Sequence, residues 1–130
     1  MKEVYDFLKK CQVFYIATID GNKPRVRPFG AINIFENKLY IQTGKIKDVS
    51  KQMQKNSNIE ISGMADGKWI RLEAKVVRDD RKEAKVSMLD ANPELKSIYS
   101  ADDDNTEVLY LENVTAKICS FVDEPQIIKF

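Results

Sequence analysis

The feature that most constrains the fold of this 130-residue chain is a set of short alternating segments that run into tight turns. VFYIATI, residues 13 to 19, leads into Asp20-Gly21-Asn22, and residues 58 to 64 and 68 to 78 flank Ala65-Asp66-Gly67. Apolar and polar residues alternate strictly in the longest of these segments, as in a strand with one buried face. An Asp-Gly turn between two such segments predicts a β-hairpin.

Apolar residues recur at helical spacing in other parts of the chain. Helices are predicted over residues 3 to 11 and 46 to 56, with Asp48 capping the second or lying in its first turn. A third helix should open at Asp80 and Glu83, which form an acidic variant of a capping box. The order is helix, three strands, helix, two strands, helix, then one or two strands. It predicts a mainly β fold, an antiparallel barrel that is closed or nearly closed, with flanking helices.

The composition excludes several classes of function. Lys and Arg number 21 and Asp and Glu 20, so a net charge of +1 gives no reason to expect nucleic acid or an anionic membrane as partner. The absence of histidine removes Ser-His-Asp and Cys-His catalysis and the usual zinc sites. The length fits one domain, residues 1 to 130. We expect it to be cytoplasmic, because charged residues interrupt any signal peptide and no apolar run could span a membrane. Cys11 and Cys119 are expected to be free, buried thiols.

The first candidate site is the junction from Thr43 to Lys47, between a predicted strand and a predicted helix. Unpaired N–H groups and the helix dipole favour a phosphate at a helix start, and Lys45 and Lys47 would add positive charge. The phosphate-loop pattern GxxxxGK[ST] is absent, since Gly44-Lys45 is followed by Ile46. A solvated, lysine-rich loop explains the same residues. Both interpretations stay open on this segment alone.

The second candidate site is the segment RVRPFG. Arg27 and Phe29 fall on the same face of the predicted strand. Pro28 has no N–H to donate to a neighbouring strand, so it predicts a sheet edge, a β-bulge or a place where a ligand replaces the neighbouring strand. Such a surface could bind a flat anionic ligand, or it could be an exposed cationic face. Trp69 and Arg71, on the outward face of a later strand, predict a subunit interface, a ligand wall or packing against a helix.

Three segments in register resemble one known family. They are VFYIATIDGNKPRVRPFGAI, LYIQTGKIKDVSKQMQKN and IEISGMADGKWIRLEAKVV. Together they resemble the pyridoxamine 5′-phosphate oxidase-like FMN-binding split-barrel family, nearest to its small members related to the nitroimidazole-resistance reductases. The resemblance covers about residues 1 to 122 and implies an antiparallel split β-barrel of about six strands. It also implies a homodimer with two FMN sites at the subunit interface.

The resemblance assigns roles to residues of both candidate sites. Arg27 corresponds to the arginine of the family's second strand, and Pro28 and Phe29 would lie along the isoalloxazine ring. Gln42 and Thr43 would touch the ring and the ribityl chain.

The remaining assignments concern the phosphate and the partner chain. Lys47 would hold the phosphate and Lys45 would assist. Trp69 and Arg71 would face the site from the partner subunit.

Three departures and two alternatives limit the function that the resemblance implies. The histidine associated with the nitroimidazole reductases is missing. Ile32 stands where the oxidase proper has a lysine, and DEPQIIKF has no counterpart of its substrate-binding arginine segment. We therefore expect a flavin-dependent reductase or oxidase of another small molecule, with NADH or NADPH as a candidate electron donor. The alternatives are a non-enzymatic flavin sensor or store, and a nucleic-acid binder that uses Arg25, Arg27 and Phe29 as a stacking platform.

Overall fold

A computed structural model describes all of residues 1 to 130, which form eight strands, three α-helices and one 3₁₀ turn. The helices are α1 Lys2–Cys11, α2 Asp48–Lys55 and α3 Lys82–Ala91, and the 3₁₀ turn is Pro93–Ser97. The strands are β1 Phe14–Asp20, β2 Lys23–Phe29, β3 Ile32–Phe35, β4 Lys38–Gly44, β5 Asn58–Ala65, β6 Lys68–Asp79, β7 Thr106–Cys119 and β8 Gln126–Lys129. None of the helices has the length and apolar character needed to cross a membrane.

All eight strands belong to one antiparallel sheet. Its order is β2-β1-β5-β6-β7-β4-β3, and β8 pairs with β7 outside this path. β2 and β3 follow each other in the chain but occupy opposite edges, so the sheet curls without closing. The predicted antiparallel split barrel is confirmed, with eight strands instead of about six. Pro28 lies on the edge strand β2, the place in a sheet where a residue without an N–H is tolerated.

The core fills the inside of the curled sheet. Its apolar residues come from both halves of the sheet and from α1 and α2, and the largest of those that are fully buried are Leu8, Phe14, Ile16, Ile32, Leu39, Ile41, Ile61, Ile70 and Leu72. A second, smaller cluster lies on the other face of β4, where Tyr40 packs with Met88 of α3. Both faces of β4 are therefore covered, which fixes the position of its C-terminal end.

The turn predictions hold, whereas several face and boundary predictions were wrong. Asp66 and Gly67 both have positive φ, as a type I′ hairpin turn requires. α2 begins at Asp48 and not at Ile46, because the Ile46 N–H donates to Asn105 Oδ1 and its side chain is 76% exposed. The alternation in residues 24 to 35 predicts Val26 and Ile32 on one face, but Val26 is 68% exposed while Ile32 is buried, since a break separates β2 from β3.

A buried carboxylate connects three parts of the fold. Asp79, at the end of β6, accepts hydrogen bonds from the Tyr40 hydroxyl at 2.7 Å and from Arg81 Nη2 at 2.9 Å. Arg81 also binds Glu36 in the β3–β4 turn, and its N–H donates to Asp79 Oδ1, which replaces the predicted Asp80–Glu83 capping box. The hydrogen bond from Arg81, with that from Tyr40, lowers the pKa of Asp79 to about 2.

The charge of Asp79 should contribute to stability in a pH-dependent way. We expect Asp79→Asn to lower the free energy of unfolding at pH 7 by about 1–3 kcal/mol, because Arg81 and Tyr40 lose a charged acceptor. The folded pKa lies below the ordinary value of 3.8, so this contribution is complete above that value and is lost as the pH falls toward about 2. Urea unfolding at a series of pH values should show the gap between wild type and variant closing over that range.

Asp90 supplies the matched control for this measurement. It is exposed and pairs only with Lys96, so Asp90→Asn should change stability by less than about 0.5 kcal/mol at every pH. If the loss of unfolding free energy in Asp79→Asn did not change with pH, the role assigned to the Asp79 charge would be contradicted.

Candidate functional site

The ends of β2 and β4, the start of α2 and the 3₁₀ turn surround one groove of about 420 Å³. Most of the residues predicted for the two candidate sites line it: Arg27, Pro28, Phe29, Gln42, Thr43 and Lys47. The two segments meet because α2 packs against both β1 and β4, across the gap between the open edges of the sheet. A second, more open groove of about 1090 Å³ adjoins the first and shares Arg27 and Lys47 with it.

Arg27 contributes a cation without a carboxylate partner. Its Nη1 donates to Thr18 Oγ1 at 2.7 Å and to the Ile16 carbonyl at 3.2 Å, and its Nη2 donates to Gln52 Oε1 at 2.6 Å. All three acceptors are neutral. Partial burial lowers the pKa of Arg27 from its ordinary value, but an arginine remains protonated at neutral pH. The guanidinium is thus held in place while its charge stays available to a ligand.

Lys47 brings a second cation to the same end of the groove. It is the N-cap residue of α2, and its carbonyl accepts the Ser50 N–H at 3.1 Å. No protein acceptor is found for the N–H groups of Asp48 and Val49, which point from the positive end of the helix dipole. Lys47 forms no ion pair. Charge and free donors together suit an anionic group.

The turn before α2 does not supply further backbone donors. The Lys45 N–H donates to the Asn105 carbonyl at 2.8 Å, and the Lys47 N–H donates to the Gly44 carbonyl at 3.1 Å. Lys45 itself lines neither groove. The predicted anion site at this junction therefore reduces to Lys47 and the first turn of the helix.

The floor and walls of the groove are mostly neutral, and Glu94 of the 3₁₀ turn is the one carboxylate that lines it. Gln42 and Thr43 are buried at the end of β4, and the Gln42 Nε2 donates weakly to the Thr43 carbonyl at 3.3 Å. Phe29 is buried in the core with its ring 6.4 Å from that of Phe14. The nucleic-acid alternative uses Phe29 as part of a stacking platform, and the buried ring does not offer one, because the inward face of β2 points into the barrel at this position.

Trp69 and Arg71 lie outside both grooves of the single chain. The Trp69 ring is 4.9 Å from that of Phe121, and Arg71 Nη2 pairs with Glu60 Oε1 at 3.0 Å. They share the outer face of the sheet. The single chain does not bring them to the other predicted residues.

Several residues of the groove or its support were not predicted from the sequence, among them the charged Glu94. Gln52 accepts from both Arg27 and Thr18, one helical turn after Asp48. Tyr99 follows the 3₁₀ turn, and Gln12 follows α1; both line the groove. The helical spacing of α2 could have indicated Gln52, but no local pattern marks Gln12 or Tyr99 as neighbours of β2.

Comparison with known proteins places this fold among several solved structures. A family model described as pyridoxamine 5′-phosphate oxidase matches residues 1–116. The crystal structure of a NimC/NimA family protein from Clostridium acetobutylicum is 47% identical with a TM-score of 0.98, covering 100% of this chain and 92% of that one. No curated protein matches the chain.

Two more distant structures share the fold. General Stress Protein 26 from Bacillus anthracis is 14% identical with a TM-score of 0.79, covering 99% of this chain and 97% of that one. A pyridoxamine 5′-phosphate oxidase-related, FMN binding protein from Nostoc punctiforme is 14% identical with a TM-score of 0.67, covering 99% and 95%. At this identity the likeness concerns the fold alone.

Gly44 should be required for the shape of the groove wall. A Cβ at this position would lie 3.0 Å from Asn105 Nδ2 and 3.3 Å from the Tyr99 hydroxyl. We expect Gly44→Ala to lower the free energy of unfolding by about 1–3 kcal/mol, because both side chains must move. At Gly30 the nearest atom would be the Gln12 carbonyl oxygen at 3.5 Å, an ordinary contact, so Gly30→Ala should be neutral within about 1 kcal/mol. Urea unfolding compares the two, and equal losses would contradict the crowding at Gly44.

Proposed function

Because this chain belongs to the pyridoxamine 5′-phosphate oxidase family, we propose that its groove binds FMN and that the protein is a flavin-dependent oxidoreductase acting on a small molecule. The observation that carries the proposal is the pair of cations, Arg27 and Lys47, that meet in one groove and form no ion pair with a carboxylate of the chain. FMN has one phosphate and one flat ring, and the groove offers one cationic end and one long neutral wall.

The donor set at the cationic end fits a phosphate. Lys47 would supply a point charge, the N–H groups of Asp48 and Val49 would donate, and Arg27 would add guanidinium donors that its protein partners leave free. The Asp48 carboxylate lies at the same helix start and would reduce this attraction in part. Lys45, whose side chain lines neither groove, is proposed only as an outer contributor of charge.

The neutral wall fits a ring and a polyol. Pro28 and the backbone of Phe29 would lie along the ring, and the Gln42 amide and Thr43 would contact the ring and the ribityl chain. Bound FMN would supply the transfer of hydride or electrons, for which this chain has no histidine of its own. Ile32 is buried in the core, so no cation replaces the lysine expected of the oxidase proper. The substrate is accordingly proposed to be a molecule other than pyridoxamine 5′-phosphate.

The visible absorption spectrum of the purified protein tests the cofactor directly. A flavin spectrum, with FMN released on denaturation, supports the proposal. A colourless protein that takes up no added FMN would overturn it.

Stopped-flow mixing with NADH and with NADPH then tests the activity. Rapid bleaching of the bound flavin by either donor supports an oxidoreductase. A flavin that neither donor reduces supports the alternative, a non-enzymatic flavin sensor or store.

Lys47 should contribute more to FMN binding than other lysines of the same helix. We expect Lys47→Ala to weaken FMN binding about tenfold, since it removes a charge at the helix start. Lys55→Ala, at the other end of α2, should change the affinity less than about twofold. Titration of the flavin fluorescence measures the FMN affinity of both variants. Equal losses of affinity would mean that the phosphate does not bind at Lys47.

We further propose that the protein is a homodimer formed through the outer face of the sheet. Pro28, on the wall of the groove, is the register partner of Tyr15, which pairs with Ser62, which in turn pairs with Arg71. A continuous row of paired residues across β2, β1, β5 and β6 thus joins the groove to Arg71. The next row on the same face, which pairs Met64 with Trp69, exposes large apolar side chains, and Met64 is 65% exposed.

A second copy on this face would bury these apolar side chains. It would also bring Trp69 and Arg71 of each chain toward the groove of the other, where the single chain lacks them. This arrangement explains why Trp69 and Phe121 stand together on the outer surface.

The outer face should control the oligomeric state. We expect Met64→Asp to convert a dimer into a monomer, because it places a charge at the centre of the proposed interface. Val86→Asp changes an exposed apolar residue of α3 and should leave the dimer intact. Sedimentation velocity distinguishes these states, and a monomeric wild-type protein would contradict the proposal.

A further inference from the structure

The residue that joins α1 to β1 adopts a strained backbone conformation. Gln12 has φ 63° and ψ −49°, and the Val13 N–H donates to the Cys11 carbonyl at 2.7 Å. These values and this bond define a γ-turn with positive φ at its central residue, a form that is rare and strained outside glycine. The Gln12 N–H closes the end of the helix by donating to the Lys9 carbonyl at 3.2 Å.

Nothing within the chain explains why glutamine occupies this turn. Glycine would adopt the same φ at lower cost and would close the helix equally well. The Gln12 side chain is exposed and forms no hydrogen bond within the protein. The side chain therefore contributes no hydrogen bond that offsets the strain. Strained backbone of this kind is concentrated at ligand-binding sites.

The turn lies at the groove, at the end opposite to the cations. Gln12 is one of the lining residues, and its carbonyl oxygen lies 3.5 Å from the position of a Cβ on Gly30. Gly30 follows Arg27 by three residues of nearly extended chain, which corresponds to about 10 Å. A ligand whose phosphate lies at Arg27 and Lys47 would therefore present its other end near Gln12.

We propose that the strained turn at Gln12 holds its carboxamide against the ring of the ligand, as a specificity-determining contact with an imide edge. This inference rests on the proposed binding of FMN. The pyrimidine edge of the flavin ring presents an N–H donor between two carbonyl acceptors. A carboxamide offers one acceptor and two donors, so it can form paired hydrogen bonds with an N–H and an adjacent carbonyl.

The rigid turn would reduce the entropic cost of this contact. A γ-turn closed by its own hydrogen bond, at the end of a helix that packs on the core through Val4 and Leu8, leaves the Gln12 backbone little freedom. Only the side-chain torsions must then be ordered when the ligand binds.

Two substitutions distinguish the effect of the backbone strain at Gln12 from the effect of its side-chain amide. Gln12→Gly removes the strain and the amide together, whereas Gln12→Glu keeps the size of the side chain but replaces the donor with a carboxylate. We expect both to weaken FMN binding about tenfold, the usual effect of losing a ligand hydrogen bond, while Gln12→Gly raises the melting temperature of the ligand-free protein. Gln54→Glu, an exposed residue outside both grooves, introduces the same charge and should leave the affinity unchanged.

Riboflavin has the flavin ring but no phosphate. Comparing its binding with that of FMN therefore shows which end of the ligand Gln12 contacts. Flavin fluorescence titrations should show the same fold-loss for riboflavin and for FMN in the Gln12 variants, whereas Lys47→Ala should reduce the affinity for FMN only. If Gln12→Gly stabilises the protein and leaves FMN affinity unchanged, the inference is overturned while the proposed function stands. A fold-loss confined to FMN would place Gln12 at the phosphate and would overturn it as well. A wild-type chain that binds neither flavin overturns the proposed function and this inference together.

Discussion

The groove depends on one topological constraint, the separation of β2 and β3 to opposite edges of a single sheet. The chain crosses from one edge to the other between Phe29 and Ile32, and these two edge strands do not pair, so the curled sheet stays open. α2 covers the gap by packing on β1 and β4, and the hydrogen bonds of Arg27 to Thr18 and Gln52 tie β2 to both neighbours. The opening that remains is lined by the ends of the strands, where side chains and unpaired backbone groups can reach a ligand.

The fold could be predicted from the sequence wherever local chemistry decides the outcome. Turns such as Asp66-Gly67 need positive φ, and few residues tolerate it, so the hairpins were visible without tertiary information. The errors arose where tertiary contacts override periodicity. Ile46 has the spacing of a helix residue, yet Asn105 captures its N–H from a distant loop and excludes it from α2. Val26 has the spacing of a core residue, but the break after β2 leaves it on the outer face.

The candidate site was predictable to the extent that its chemistry lies in short segments. Arg27 and Lys47 could be proposed because a proline-containing strand and a helix start each suggest an anion on physical grounds. Gln52 and Gln12 could not, because their relevance depends on which elements meet. Gln52 matters only because α2 lies over β1, and the γ-turn at Gln12 depends on how α1 is held against the sheet.

The electrostatics of Arg27 connect the fold to the proposed ligand. A carboxylate in place of Gln52 would stabilise the guanidinium more strongly, but it would also neutralise the charge that the groove presents. The chain instead holds Arg27 with a carbonyl, a hydroxyl and an amide, which orient the side chain without an ion pair, and Asp48 acts on its charge only at longer range. Burial lowers the pKa of Arg27, so this arrangement has a cost in the free protein. An anionic ligand would reduce that cost, since it would provide a counter-charge in direct contact with Arg27, whereas Asp48 acts only at longer range.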